Sequence, residues 1–67
     1  MEISINNVKT TVKENTSLST VVATNSGENT KGIAVAVNQS VVPKLEWDST
    51  ILHQNDTIII IKATQGG

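Results

Sequence analysis

Apolar and polar residues alternate in two runs at the start of the chain, Met1–Ile5 and Val8–Val12. An alternation with period two is typical of a strand that buries one face and exposes the other. Asn6 and Asn7 separate the two runs, and asparagine favours tight turns because it tolerates positive φ. The start of the chain is therefore predicted to form a β-hairpin.

After the hairpin, the spacing of the apolar residues changes from the period of a strand to that of a helix. The apolar stripe consists of Leu18, Val21 and Val22. Thr16 or Ser17 can cap the start of this helix, and Gly27 lies where it would end. Because its residues are weak helix formers, the helix would not be stable alone, and its stripe is predicted to pack on the hairpin.

The second half of the chain contains three further runs of strand-forming residues. In Ile33–Val37 large apolar residues alternate with alanines, and Val41–Val42 is a very short strand that a proline ends. Leu45–Ser49 is typical of one turn of helix. Ile58–Ile61 is apolar on both faces, as expected of a central strand or of a strand with one face covered by a partner.

These elements follow one another as β-β-α-β-β-β within a single domain, residues 1–67, with a flexible C-terminal tail, residues 63–67. The continuous apolar strand belongs in the middle of the sheet, beside the first strand. The predicted fold class is α+β: a ubiquitin-like β-grasp, with a mixed sheet of four to five strands and one helix packed across one face. Eight isoleucines, eight valines and nine threonines agree with this prediction, because β-branched residues favour strands.

Composition excludes several classes of function. A net charge of -1 gives no electrostatic footprint for nucleic acid or an acidic membrane surface, and Trp47 alone makes no stacking platform for bases. The chain has no cysteine for a disulfide or a thiolate site, and a single histidine, His53, cannot form a multi-histidine metal site. The longest apolar run, Ile33–Val37, is far shorter than the ~20 residues of a membrane span. With no leader-like segment, we expect a cytoplasmic protein. A monomer that docks on larger enzymes is the default expectation.

The small size of the chain favours a carrier, a modifier or a binding module over an enzyme, with no bound cofactor. A domain of 67 residues buries only about 60% of the surface of its unfolded chain, which leaves little room for a deep pocket. Trp47 is predicted to pack in the core, and His53 to be a loop or surface residue. Ile59 and Ile61 are predicted to face away from the helix and to form a partner interface, because exposed isoleucine patches mark interfaces.

The candidate chemistry lies at the end of the chain, where Gln65-Gly66-Gly67 follows the central strand almost directly. Two glycines suit a carboxylate that must enter another protein's active site, since they can thread a narrow channel and adopt φ values closed to other residues. Five extended residues reach at most ~17 Å, so the carboxylate is held close to the sheet. An ionised carboxylate is a poor acylating group, and activation with ATP to an acyl-adenylate would supply a good leaving group.

An ordered set of signals from Gly32 onwards is similar to the ThiS family, the small sulfur carriers of thiamine thiazole biosynthesis. These signals are Gly32–Gln39, Val41–Pro43, Trp47, Asn55-Asp56, the isoleucine run and the terminal Gly66-Gly67. The resemblance covers the whole chain, although the first half matches only in its hydrophobic pattern. It implies that a ThiF-type enzyme adenylates the carboxylate of Gly67, that sulfur from a persulfide donor converts it to a thiocarboxylate, and that a ThiG-type thiazole synthase receives the sulfur.

The chain departs from the family's pattern at three positions. Asn55 stands where the family often has glycine, and asparagine can adopt the same left-handed conformation. Lys44 replaces an arginine after the proline, and Gln65 is bulkier and more polar than the residue common there. Two alternatives stay open: the sibling carrier of molybdopterin synthesis, whose aromatic-Pro stretch before the glycines is missing here, and a ubiquitin-like modifier or plain interaction module.

Overall fold

The computed structural model describes residues 1–27 and 31–62, and these ranges contain five strands, one α-helix and one 3₁₀ helix. In chain order the elements are β1 (Glu2–Ile5), β2 (Val8–Thr11), α1 (Leu18–Ser26), β3 (Ile33–Val37), β4 (Ser40–Val41), a 3₁₀ helix (Lys44–Glu46) and β5 (Thr57–Lys62). The predicted order of elements is confirmed. The predicted flexible tail, residues 63–67, lies outside the described residues.

Two elements have boundaries that differ from the prediction by one to three residues. β4 begins at Ser40 and not at Val41, because a two-residue turn after β3 brings Ser40 directly opposite Val37. The helical turn predicted over 45–49 is a 3₁₀ helix that ends at Glu46, and the N–H of Trp47 closes it by donating to the carbonyl of Lys44.

The five strands form one mixed sheet in the order β2-β1-β5-β3-β4. β5 is the central strand, parallel to β1 on one side and antiparallel to β3 on the other. This position follows from its sequence, since a strand that is apolar on both faces buries the least apolar surface if it lies at an edge of the sheet. With α1 across one face, this topology is the predicted β-grasp.

Asparagines make the tight turns of the sheet. Asn6 and Asn7 have φ of 50 and 70°, and Asn38 and Gln39 have φ of 49 and 72°. Two consecutive residues with positive φ are what a type I′ hairpin turn requires, because its twist matches that of the strands. Asn55, where the ThiS family often has glycine, also has a positive φ, 70°, so this departure preserves the turn.

The helix begins and ends where the sequence predicts. Ser17 is the N-cap, and its side chain accepts from the N–H of Thr20 at 3.3 Å. Gly27 is the C-cap, with φ 70° and its N–H donating to the carbonyl of Ala23. The stripe of α1 is buried against the sheet in one hydrophobic core, which comprises Ile3, Ile5, Leu18, Val21, Val22, Val35, Trp47, Leu52 and Ile58.

Side chains along β5 alternate between this core and the opposite face of the sheet. Ile58 is 0% exposed, and Ile60 packs against the core from its margin. Ile61 is 60% exposed and Ile59 is half-buried, both on the face that the helix does not cover. The parity predicted from the sequence is therefore confirmed.

Asparagine side chains hold β5 at both ends. Near its C-terminal end, Asn6 Oδ1 accepts from the N–H of Ile60 at 2.8 Å, and Asn6 Nδ2 donates to the carbonyl of Ile60 at 3.3 Å. At its start, Asn38 Oδ1 accepts from the N–H of Thr57 at 2.9 Å. Each side-chain amide replaces a peptide group of a neighbouring strand that has just ended, so the pairing of β5 extends beyond the strands themselves.

Burial predicts that the isoleucines of β5 differ widely in their contribution to stability. Ile58→Ala is expected to lower the free energy of unfolding by about 2–5 kcal/mol, because it leaves a cavity in the core. Ile61→Ala removes the same atoms from an exposed side chain and is expected to cost less than about 1 kcal/mol. Urea unfolding followed by Trp47 fluorescence measures both, since this buried residue is the only aromatic one. Equal losses would contradict the assignment of faces.

The two hydrogen bonds from Asn6 predict a local effect on β5. Asn6→Gly keeps the positive φ but removes both bonds, and is expected to speed hydrogen exchange of the Ile60 amide about fivefold to tenfold. Asn7→Gly is the matched control, because Asn7 has the same conformation in the same turn. Amide exchange measured by NMR compares the variants, and equal Ile60 rates in both would show that Asn6 does not hold the strand.

Candidate functional site

The predicted sulfur-carrying residue, Gly67, and its neighbour Gly66 lie outside the described residues. What the structure shows is the strand that leads to them. The last residue of β5, Lys62, lies opposite Ile33 of β3, and Ile61 lies opposite Ala34. With Ile60 held by Asn6 on the other side, β5 is fixed by pairing almost to its last residue. The chain therefore enters the tail from the most firmly paired strand of the sheet.

An apolar patch covers one half of the helix-free face of the sheet. We define the apolar patch as Ala34, Ala36, Val41, Ile59 and Ile61. Strand register places these side chains on one face, since Ile59 lies opposite Ala36, Ile61 opposite Ala34, and Val41 opposite Ala36. Val41 is 75% exposed. Alanine side chains end at Cβ, so they leave Ile61 exposed and Ile59 partly exposed beside them.

The other half of this face is polar. Glu2 and Ser4 of β1 lie opposite Thr11 and Lys9 of β2 on the same side of the sheet. The boundary between the halves runs between β1 and β5, where Ser4 lies opposite Thr57. The apolar patch is thus confined to β3, β4 and β5, and it extends along β5 towards the tail.

The structure brings Ile59 and Ile61 together with residues that were not predicted as part of a site. Ala34 and Ala36 were expected to lie either on a covered face or at an edge. Ala36 lies between β5 and β4, whereas among the described residues Ala34 has a strand neighbour on one side only, β5. Val41 was not assigned to any surface. The sequence feature that could have predicted its position is the two-residue turn at Asn38-Gln39. This turn fixes the register of β3 and β4 and so places Val41 beside Ala36.

Trp47 and His53 occupy the positions predicted for them. Trp47 is 4% exposed, and its indole Nε1 donates to the carbonyl of Val42 at 2.8 Å, so the polar atom of a core side chain is satisfied. His53 is largely exposed in the loop before β5. Neither residue belongs to the apolar patch.

Asp56 joins the two turns that flank the start of β5, a role that the sequence did not reveal. Its Oδ2 accepts from the N–H of His53 at 2.8 Å, and its Oδ1 accepts from Asn38 Nδ2 at 2.9 Å. Through Asn38 the same network reaches the N–H of Thr57. The carboxylate therefore stabilises the entry to the central strand.

The described residues offer no centre of metal chemistry. Within 1–27 and 31–62, no three His, Asp or Glu side chains lie close enough together to hold a metal ion. No helix in this part of the chain has the length and apolar character needed to cross a membrane. The site that the structure describes is an anchored strand beside an apolar surface.

Two solved structures share this fold over the whole chain. The crystal structure of a thiamine biosynthesis protein, ThiS, from Geobacter metallireducens has a TM-score of 0.82 and 19% identity, and the match covers 100% of both chains. The solution structure of a thiamine biosynthesis protein from the same organism has a TM-score of 0.78 and 19% identity, and the match covers 100% of this chain and 88% of that one. At this level of identity, the likeness shows the fold.

Sequence comparison extends the likeness from fold to family. Comparison with curated proteins gives no match. The profile of the ThiS family matches residues 1–67, which includes the tail that follows β5 as well as the β-grasp domain. The chain belongs to the ThiS family.

Proposed function

We propose that the protein is a sulfur carrier of thiamine biosynthesis, and that the carboxylate of Gly67 is the group that carries the sulfur. The observation that supports this most is the family match over 1–67, because it includes Gly66 and Gly67. The named function of the structural relatives, thiamine biosynthesis, agrees with it. The protein itself acts as a co-substrate of enzymes and not as an enzyme.

The proposed cycle begins with activation of the carboxylate. A ThiF-type adenylyltransferase joins the Gly67 carboxylate to the α-phosphate of ATP and releases pyrophosphate, so that AMP becomes the leaving group. The terminal sulfur of a persulfide donor then attacks the acyl carbon and displaces AMP. A thiol supplies the two electrons that cleave the resulting sulfur–sulfur bond, which leaves a thiocarboxylate on Gly67 and a disulfide on the donor. A ThiG-type thiazole synthase accepts the sulfur.

The contribution of the fold to this chemistry is to keep the reacting carboxylate close to the sheet. Five residues, 63–67, follow Lys62 and span at most ~17 Å when extended. A partner that docks on the sheet near the end of β5 can therefore receive the tail in its active site. Holding a reacting group within reach replaces a chance encounter with an intramolecular one.

The apolar patch is the proposed docking surface for these enzymes. Ile59 and Ile61 lie on the strand that leads into the tail, so a partner bound to them is also close to the reacting carboxylate. Val41 and the alanines widen this surface without adding charge, and apolar centres with few charges are typical of binding interfaces. ATP is bound and used by the partner, and the carrier requires no cofactor of its own.

The proposed chemistry predicts a defined change of mass. With ATP, the cognate adenylyltransferase, a persulfide donor and a thiol reductant, one oxygen of the protein is expected to be replaced by one sulfur. Intact-mass spectrometry detects the change, and fragmentation is expected to locate it on the C-terminal peptide that contains Gly67. An unchanged mass in the presence of a demonstrably active partner would contradict the carrier function.

Variants of the tail serve as controls for this reaction. Gly66→Val adds a β-branched side chain where the tail must pass through a narrow channel, and one extra residue after Gly67 moves the carboxylate by ~3.5 Å. Misplacement on that scale is expected to reduce ATP–pyrophosphate exchange ~100-fold or more. Both variants are expected to unfold at the wild-type temperature. Normal exchange with either one would show that the tail is not the reacting part.

The docking role of the apolar patch predicts a loss of affinity from a small change. Ile61→Ala is expected to weaken binding to the adenylyltransferase roughly tenfold, because truncating a central apolar contact costs more than ~1 kcal/mol. Val8→Ala is the matched control, since Val8 is 65% exposed but lies on another part of the surface. Isothermal titration calorimetry measures both affinities. Equal losses, or none for Ile61→Ala, would place the docking surface elsewhere.

A further inference from the structure

A groove separates the outer strand β2 from the helix. Among the described residues, β2 has a strand neighbour on one side only, β1, and the groove lies along its other side with a volume of about 310 Å³. The residues that line it include Ile5, Thr10, Val12, Thr20, Val21 and Thr24. This surface is at the opposite edge of the sheet from β4 and shares no residue with the apolar patch.

The pairing of β1 with β2 shows which backbone groups face this groove. Met1 and Val12 exchange both hydrogen bonds, N–H to carbonyl, at 2.8 and 2.9 Å. In an antiparallel ladder such pairs alternate with pairs whose N–H and C=O groups point outward. The outward groups of β2 therefore belong to Lys9 and Thr11. This edge ends at Lys13, whose carbonyl accepts from Thr16 Oγ1 at 2.6 Å.

The groove is predominantly apolar although threonines form much of its lining. Four of the five lining threonines have hydroxyls with a partner within the chain; for example, Thr24 donates to the carbonyl of Thr20 at 2.9 Å, and Thr10 donates to the carbonyl of Val8 at 3.2 Å. The amide of Asn25 likewise donates to a carbonyl one turn earlier in the helix, at 2.8 Å. An occupant of the groove therefore meets methyl groups more than free hydroxyls.

Charge decides which kind of strand the edge can accept. Lys13 is the one charged residue among the described residues that line the groove, and Lys9 lies on the edge four positions earlier. Alternation along the strand directs both lysine side chains to the side opposite to Thr10 and Val12. Helix α1, the other wall, contains no charged residue. Pairing of β2 with β2 of a second copy would bring these lysines together, and edge lysines oppose such self-association. The same lysines attract a strand that carries carboxylates.

We propose that β2 binds an extended acidic segment of a partner protein as a sixth strand of the sheet. Side chains of an extended segment alternate between its two faces. The residues opposite Lys9 and Lys13 share the face that points away from the groove. The two residues opposite Thr10 and Val12 share the other face and lie over the groove. The segment therefore has the pattern acidic, apolar, any residue, apolar, acidic. Backbone hydrogen bonds to Lys9 and Thr11 provide affinity, and the alternate side chains provide selectivity.

A capped peptide containing Asp-Val-Ser-Val-Glu tests this proposal by NMR titration of the full chain. Chemical-shift changes are expected in β2 and α1, together with slower exchange of the Lys9 and Thr11 amides. The combined variant Lys9→Glu with Lys13→Glu is expected to weaken binding about tenfold or more, because attraction becomes repulsion at both pairs. The combined variant Lys44→Glu with Lys62→Glu changes the net charge by the same amount away from β2, so it is the matched control and is expected to leave affinity unchanged. Added salt is expected to weaken binding to the wild type.

Further variants separate strand addition from simple charge attraction. The N–H of Thr11 points away from β1 and makes no hydrogen bond to it, so Thr11→Pro removes a group that only an added strand would use. This variant is expected to lose binding, while Trp47 fluorescence shows that the chain is still folded. A peptide with the order Val-Asp-Ser-Glu-Val has the same composition but turns its acids towards the groove, and is expected to bind at least tenfold more weakly. Equal binding of the two peptides, or normal binding by Thr11→Pro, would overturn the proposal.

Two results in the absence of peptide would also overturn it. Protection of the Lys9 and Thr11 amides in the free monomer would show that another part of this chain covers the edge. Concentration-dependent association that protects the same amides, detected by sedimentation, would assign the edge to a second copy.

Discussion

The fold depends on parallel pairing between the first strand of the chain and the last. Ser4 and Ile5 of β1 lie opposite Thr57 and Ile58 of β5, and Ile58 is fully buried there. This contact closes almost the whole chain into a loop, which costs conformational entropy before any other long-range contact forms. The buried isoleucines of both strands offset that cost, and the helix and the outer strands then pack on the sheet they create.

Asparagine residues stabilise this sheet of short strands. In four turns asparagine accepts a positive φ, and in two of them its side-chain amide also bonds to the backbone of β5. Glycine would allow the same turns but would leave the N–H groups of Thr57 and Ile60 without these partners. Turn formation and anchoring of the central strand are therefore performed by the same side chains, Asn6 and Asn38.

The two faces and two edges of the sheet differ in their surface character. One face holds the core beneath α1, and half of the other face is the apolar patch beside the strand that leads to the tail. The edge at β2 carries lysines and a groove, on the far side of β1 from that patch. Under the two proposals made above, this separation has a consequence: a segment bound at β2 would leave both the apolar patch and the tail free for an enzyme.

The sequence by itself determined the order of elements, the central position of β5 and the inward and outward parity of its isoleucines. These features follow from local periodicity and from a run of residues too apolar for an edge, so they need no knowledge of distant contacts. The role proposed for the terminal glycines also comes from the sequence, because it rests on their conformational freedom and not on packing.

Only the tertiary structure decided how separate segments combine. The apolar patch needs Val41 from a hairpin to meet Ile59 and Ile61, and that meeting depends on strand register. The roles of Asn6 and Asp56 depend on partners up to 54 positions away in the chain, as in the bond from Asn6 to Ile60. The groove at β2 exists because the helix packs beside an outer strand. Periodicity records which face a residue occupies, but not which distant residue shares that face, because pairing between strands is a property of the folded chain.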